Sequence, residues 1–337
     1  MMLSEFTPLL TEMFVLTMAC IILVLDAFLP DERRLVSYAL SQATLLVAAL
    51  ISWSMLDNAA VIVMHGTFVS DPMAALLKTS IFLITFGAFM YSRSYLVARD
   101  IFKFEYYVLG LFAVLGMQVL VSAHSLLTIY LGLELLSLSL YALVAFNRDS
   151  ADASEAAMKY FVLGALASGM LLYGISMLYG ATGSLDIGKV SAVLAEPGER
   201  SIILVFALCF IVVGLAFKLG AVPFHMWLPD VYEGARSPVT LYIATAPKLA
   251  ALAFALRIHA LARGCSGVRP ELVDAMASLW YCQVGHGRRE IGEAMVLADL
   301  LEDDVDGRPL DRHDHVSRCE TGLRVDDIDH DELVLHP

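Results

Sequence analysis

Eight apolar runs, each of membrane-spanning length, decide most of what this chain can fold into. They lie near residues 7–29, 36–56, 72–92, 104–123, 125–146, 157–180, 201–219 and 239–258. About 20 predominantly apolar residues in a helix cross the hydrocarbon core of a bilayer, and in that solvent each helix satisfies its own backbone hydrogen bonds. The chain therefore reads as an all-α polytopic membrane protein of about eight transmembrane helices. Its charged residues agree with this: they make up 17% of the chain, against about 25% in soluble domains.

The net charge of −13 comes mostly from one end of the chain. Residues 259–337 hold 17 Asp and Glu against 8 Arg and no Lys, which is −9 of the total. The rest is close to balanced and carries no basic stripe, so nucleic acid is excluded as a partner. Ahead of the first run, Met1 to Glu5 contains no basic residue. No small-x-small cleavage site follows that run, so the first helix reads as retained rather than as a signal peptide. Loop charges give an orientation. Arg33, Arg34, Arg93, Arg99, Lys103, Arg148 and Arg236 fall on one side and only Lys189 and Arg200 on the other. The positive-inside bias then places the N-terminus on the periplasmic side of a bacterial inner membrane.

The seventh run ends in Gly214-Leu-Ala-Phe-Lys218-Leu-Gly220-Ala-Val-Pro223-Phe-His225-Met-Trp227-Leu-Pro229-Asp230. Pro223 lacks an amide donor and its ring crowds the carbonyl four residues back, so a helix continuing from 201 to about 229 must break here. Broken helices at membrane depth occur where protein or a wet cavity covers the freed backbone. Lys218, an ionisable group beside such a break, is a functional-site candidate by default, because a charge in hydrocarbon costs at least ~2.5 kcal/mol.

Other ionisable groups interrupt the runs. Asp26 and Lys78 lie near helix ends, where closeness to the interface accounts for both. Glu134 sits well inside its run, and Tyr130, Glu134, Ser137 and Tyr141 share one helical face. Such a stripe faces other helices or water; the bland alternative is a glutamate that only pins a neighbouring helix. Lys159 opens the sixth run and reads equally as a snorkelling end residue or as a proton-relay group. The small residues Gly164 and Ser168 of that run suit close helix packing. The loop 181–186 reads as a plain turn. In the eighth run Lys248 directly follows Pro247, and Thr245 lies one turn back. Glu134, Lys218 and Lys248 on three helices, with His225 in the break, together point to ion movement. Desolvation disfavours a buried ammonium and a nearby carboxylate favours it, so a Glu134–Lys218 pair can hold or release a proton, with Lys248 and His225 passing it on through water.

Four stretches carry a family resemblance: Leu131-Gly-Leu-Glu134-Leu-Leu-Ser137, Glu155-Ala-Ala-Met-Lys159-Tyr, Phe217-Lys218 through Gly234, and Ala246-Pro247-Lys248. They resemble the antiporter-like membrane subunits of proton-pumping NADH:quinone oxidoreductase, respiratory complex I, and among these subunit N. The likeness covers about residues 1–258. It implies a three-helix segment over 1–103 and a first five-helix repeat over 104–258, half of an inverted-repeat fold. It further implies that Glu134 and Lys218 are the paired groups of a half-channel, Lys248 the bridging lysine, His225 the histidine of the broken helix and Lys159 a further relay group. The partners implied are the other membrane-arm subunits and the lipid bilayer. NADH and quinone would be met only through the whole complex, and no cofactor or metal is expected in this chain.

The tail, 259–337, departs from that pattern. It contains no Lys, Asn or Phe and no run of membrane length, and only 275–281 and 294–301 suit short helices. It reads as a frame-shift near 258 or, alternatively, as a disordered acidic extension. Cys282-x-x-x-His286 and His315-x-x-x-Cys319 have zinc-like local spacings, but the 28 residues between them speak against a zinc site. Three functions are compatible with the whole: a proton-translocating subunit, a stand-alone Mrp-type cation/proton antiporter, or a truncated fragment without function.

Overall fold

The structure, a computed structural model, describes residues 6–28, 34–99, 101, 105–195, 202–221 and 223–264. Ten α-helices are described. After a 3-10 turn at Thr7–Leu9 come α1 (Leu10–Phe28) and α2 (Arg34–Ser54), then a hairpin of β1 (Val61–Val63) and β2 (Phe68–Ser70). They are followed by α3 (Pro72–Ala98), α4 (Glu105–Val121), α5 (Leu126–Val144), α6 (Ala151–Thr182) and α7 (Ile187–Ala195). The last are α8 (Ile202–Leu219), α9 (Trp227–Gly234) and α10 (Ser237–Gly264). Seven of them, α1, α2, α3, α5, α6, α8 and α10, have the length and composition to cross a membrane, and α4 is a shorter apolar helix. Each of the eight apolar runs is thus a helix, and the protein is an all-α, multi-pass membrane protein.

Local chemistry sets the helix ends. Asp71 starts α3 by accepting the amide of Ala74 at 2.8 Å, with Pro72 at the first helical position. Ser150 caps α6 in the same way, accepting from Ala153. The bundle turns large apolar side chains outward, Leu50, Leu166 and Ile202 among them, as a lipid solvent requires.

Helix α4 is buried on almost every side. It crosses α5 at two glycines: a Cβ on Gly116 would come within 2.5 Å of the Leu136 amide nitrogen, and one on Gly132 within 2.8 Å of that of Leu120. Without side chains there, the two backbones meet directly. An aromatic cluster ties α3, α4 and α10, with ring centroids 5.2 Å apart for Phe89–Tyr107 and 6.0 Å for Phe89–Tyr242. The Tyr242 hydroxyl donates to the carbonyl of Gly110 at 2.9 Å, and that of Tyr106 to Pro238 at 3.1 Å.

Three expectations are corrected. Lys78 does not reach toward water: it is buried, pairs with buried Glu12 of α1, and lies 5.0 Å from the Phe68 ring centroid. Asp26 is likewise buried and accepts from the Ser37 hydroxyl of α2. Both charges found polar partners inside the bundle, which removes the need to reach water. The loop 181–186 is not a plain turn either. The Leu126 amide donates to Leu185 at 2.9 Å, Ser125 bridges Asp186, and Asp186 accepts from the Lys189 amide at 3.0 Å at the start of α7. On the same side β2 joins the α4–α5 turn, where the Val69 amide donates to Ser122 at 2.8 Å.

Helix α10 continues to Gly264, six residues beyond 258. The frame-shift reading from there on, and the pattern of Cys282, His286, His315 and Cys319, lie outside the described residues.

Candidate functional site

The broken helix builds the site. Helix α8 ends at Leu219, and Gly220 follows in the left-handed region at φ 69°. The Ala221 amide donates to the carbonyl of Ala216 at 2.8 Å and the Gly220 amide to that of Phe217 at 3.0 Å. This is a Schellman termination, in which a residue without a Cβ turns the chain and covers the last carbonyls. The helix therefore stops four residues before Pro223, and glycine rather than proline ends it. The chain turns through 223–226, the Leu228 amide donates to the carbonyl of His225 at 3.0 Å, and α9 begins at Trp227.

Trp227 seals the break. Its indole Nε1 donates to the carbonyl of Phe217 at 3.0 Å. Its ring stacks on Tyr160 of α6 at 4.7 Å and 12° and leans on Phe217 at 5.7 Å. The carbonyl of Phe217, at the end of α8, is thus covered by protein.

Lys218 sits on the last turn of α8. Its Nζ donates to Ser137 Oγ on α5, and the Ser137 hydroxyl donates in turn to the carbonyl of Leu133 at 2.6 Å. The ammonium also lies 5.7 Å from the Tyr141 ring centroid. Glu134, one turn before Ser137 on the same helix, is within electrostatic reach of Lys218. Its Oε1 is buried and finds no hydrogen-bond partner among the described residues, and the Tyr141 hydroxyl is in the same position. Buried polar atoms of this kind are normally paired with protein or with ordered water.

A cavity of about 40 Å³ lies beside these groups. Ser137, Lys218, Trp227, Pro247 and Lys248 are in its wall, and its volume exceeds the ~10–15 Å³ that a cavity needs to hold a water. Helix α10 runs through Pro247 unbroken, and Thr245 donates to the carbonyl of Leu241 at 2.9 Å. The structure thus gathers Lys218 and Lys248 on one cavity, and Glu134 lies outside its wall, within electrostatic reach of Lys218.

It does not bring the other two sequence candidates there. His225 is exposed in the turn and is not in the cavity wall. Lys159 has a side chain 45% exposed and makes ion pairs with Glu155 at 3.0 Å and Asp230 at 3.1 Å, fastening α6 to α9. The sequence stripe contains Ser137 but does not single it out as the partner of Lys218; its hint is the position one turn after Glu134. The seal made by Trp227 and Tyr160 escapes sequence reading, since stacking between two helices leaves no local pattern. Among the described residues no three His, Cys, Asp or Glu side chains gather as a metal site.

Comparison with known proteins gives consistent results. Residues 123–278 match the family described as NADH:quinone oxidoreductase/Mrp antiporter, transmembrane. The chain is 61% identical over 255 residues to NADH-quinone oxidoreductase subunit N of Thioalkalivibrio sulfidiphilus, covering 75% of this chain and 53% of the relative. It is 54% identical over 256 residues to the subunit N of Thiobacillus denitrificans, covering 76% and 53%. The chain thus spans about half the length of the curated relatives it matches. Among solved structures, it resembles a chain of respiratory complex I from Thermus thermophilus with bound Aureothin. There the TM-score is 0.63 at 34% identity, over 74% of this chain and 53% of that one. An archaeal membrane-bound sulfane sulfur reductase gives a TM-score of 0.70 at 25% identity, over 81% and 57%.

Proposed function

We propose, from the match of residues 123–278 to the family described as NADH:quinone oxidoreductase/Mrp antiporter, transmembrane, and from the likeness to subunit N, that the chain is part of a proton-translocating membrane-arm subunit of the subunit N kind. The observation that carries the reading is the meeting of Lys218 and Lys248, from two different helices, on one water-sized cavity at a helix break, with Glu134 close by. The 61% identity to a subunit N ranks this reading ahead of a free-standing cation/proton antiporter.

In this reading Lys218 is the central proton carrier. An ammonium at this depth is held by the acceptor oxygen of Ser137, by the Tyr141 face and by the nearby Glu134 carboxylate. A small shift of α8 at its glycine hinge changes the Lys218–Glu134 distance, and with it the stability of the charged form. The released proton passes through cavity water to Lys248. His225, in the exposed turn, and Lys159, paired with Asp230 on α9, serve at the ends of the path or couple its motion to α9. The chain itself binds no cofactor, and NADH and quinone are handled by partner subunits of the membrane-bound complex. From the loop charges, the membrane is the bacterial inner membrane with the N-terminus periplasmic.

The test uses the assembled complex in membrane vesicles, with NADH-driven proton uptake compared with the amount of complex. Lys218→Ala should lower uptake by well over half while the complex still assembles. Glu134→Ala should act on the same step, so the double variant should be no worse than the worse single one. An assembled Lys218→Ala complex with unchanged uptake would refute the role.

A further inference from the structure

A second cavity, of about 530 Å³, opens on the outside of the bundle, away from the lysines. Its walls come from three helices and the turn after the last of them: Leu23 of α1, Val108, Leu109 and Phe112 of α4, Ala142 of α5, and Phe146 two residues beyond the end of α5. Two charged side chains complete it, Glu105 and Arg148. Glu105 is the first residue of α4 and Arg148 follows the end of α5. Both charges therefore stand at the membrane boundary, while the apolar wall from Glu105 to Phe112 continues inward for roughly 10 Å. No ion pair joins Glu105 to Arg148 among the described residues.

We propose that this groove binds one phospholipid whose headgroup carries both a phosphate and a primary ammonium, the phosphatidylethanolamine class. The argument is charge complementarity laid over an apolar slot. The guanidinium of Arg148 can take a phosphate bidentately. The carboxylate of Glu105 can accept N–H bonds from a primary ammonium, which a quaternary ammonium cannot donate. One negative and one positive group suit a zwitterion better than an anionic lipid, whose headgroup would face Glu105 unpaired. The apolar walls below accept an acyl chain, and the volume lies within the ~300–1,000 Å³ range of small-molecule sites. The inference requires only that the bundle sits in a bilayer and is independent of the proton pathway.

The full chain, extracted in mild detergent and stripped of lipid, is titrated with mixed micelles of dioleoyl phosphatidylethanolamine, phosphatidylcholine or phosphatidylglycerol. Native mass spectrometry reads the bound lipid. One phosphatidylethanolamine is expected to bind about tenfold more tightly than either of the others. Glu105→Gln should abolish the advantage over phosphatidylcholine, and Arg148→Ala should weaken all three by about tenfold. Equal binding of the three lipids, or a preference that neither variant moves, overturns the proposal. A photoreactive residue in place of Ala142, activated in the host membrane, gives an independent reading that needs no charge variant. Attachment to lipid is expected, and attachment to a polypeptide would place a partner helix in the groove instead.

Discussion

Glu12 and Lys78 show how much a single pair can matter in this bundle. Their side chains are only 7% and 4% exposed, and the Lys78 ammonium also faces the Phe68 ring. Removing two charges from water is costly, and the pair is tolerable only while both members are present. Lys78→Met should therefore lower stability by about 3–5 kcal/mol, since it leaves Glu12 buried alone. Glu12→Gln combined with Lys78→Met should recover much of that loss, as read by thermal melting of the detergent-solubilised chain; a double variant as unstable as the sum of the singles would disprove the pairing. At this scale the sequence was legible only where a charge stood deep in an apolar run. Glu134 and Lys218 are conspicuous for that reason. Lys78 was visible but misplaced, because a residue near a helix end has an interfacial explanation ready. Its partner depends on how α1 and α3 are rotated about their axes, which hydropathy does not encode.

Gly220 plays the corresponding part for a whole element. It holds φ 69°, and a Cβ there would come within 2.5 Å of Leu228 Cδ1 at the start of α9. A non-glycine residue in the left-handed region costs about 1–2 kcal/mol before any contact is counted. Gly220→Ala should thus displace α9, and with it the Trp227 seal, lowering stability by at least ~1 kcal/mol. Pro223→Ala is the informative control, because Pro223 lies beyond the hydrogen bonds that end α8. It should change stability by no more than ~0.5 kcal/mol. If the proline variant proved the more damaging of the two in a denaturation series, glycine would not be what ends the helix. The break itself was legible in the sequence, since Gly, Pro, His and Trp crowd one apolar run. Its cause was misread because the proline rule is local, whereas the Schellman termination is recognised only from backbone angles and from which carbonyl each amide meets. The hairpin 61–70 and α7 escaped for a related reason: both are short and are held by loops distant in sequence.

Across the whole molecule, one ion pair links residues 186 positions apart in the chain. Arg257, late in α10, meets Asp71 at 3.1 Å through Nη1 and at 3.3 Å through Nη2. Its Nη2 also donates to the carbonyl of Val121 at 3.1 Å. The same Asp71 caps α3. The contact therefore closes the start of α3, the end of α4 and the late turns of α10 around one forked ion pair. With side chains only 13% and 19% exposed, it is screened far less than a surface pair. The eight-span architecture follows from hydropathy, but the order in which helices neighbour one another rests on contacts such as this, which joins the aromatic cluster in holding α10 to α3. Arg257→Met should cost about 3 kcal/mol, because it strands a partly buried carboxylate. Asp71→Asn should cost less, since an asparagine still caps the helix. If the clamp acts as one unit, the double variant should fall short of the sum of the singles by roughly 1–3 kcal/mol in a double-mutant cycle. Strict additivity would mean that α10 is held by packing against the aromatic cluster alone, and that the ion pair only decorates a helix order fixed elsewhere.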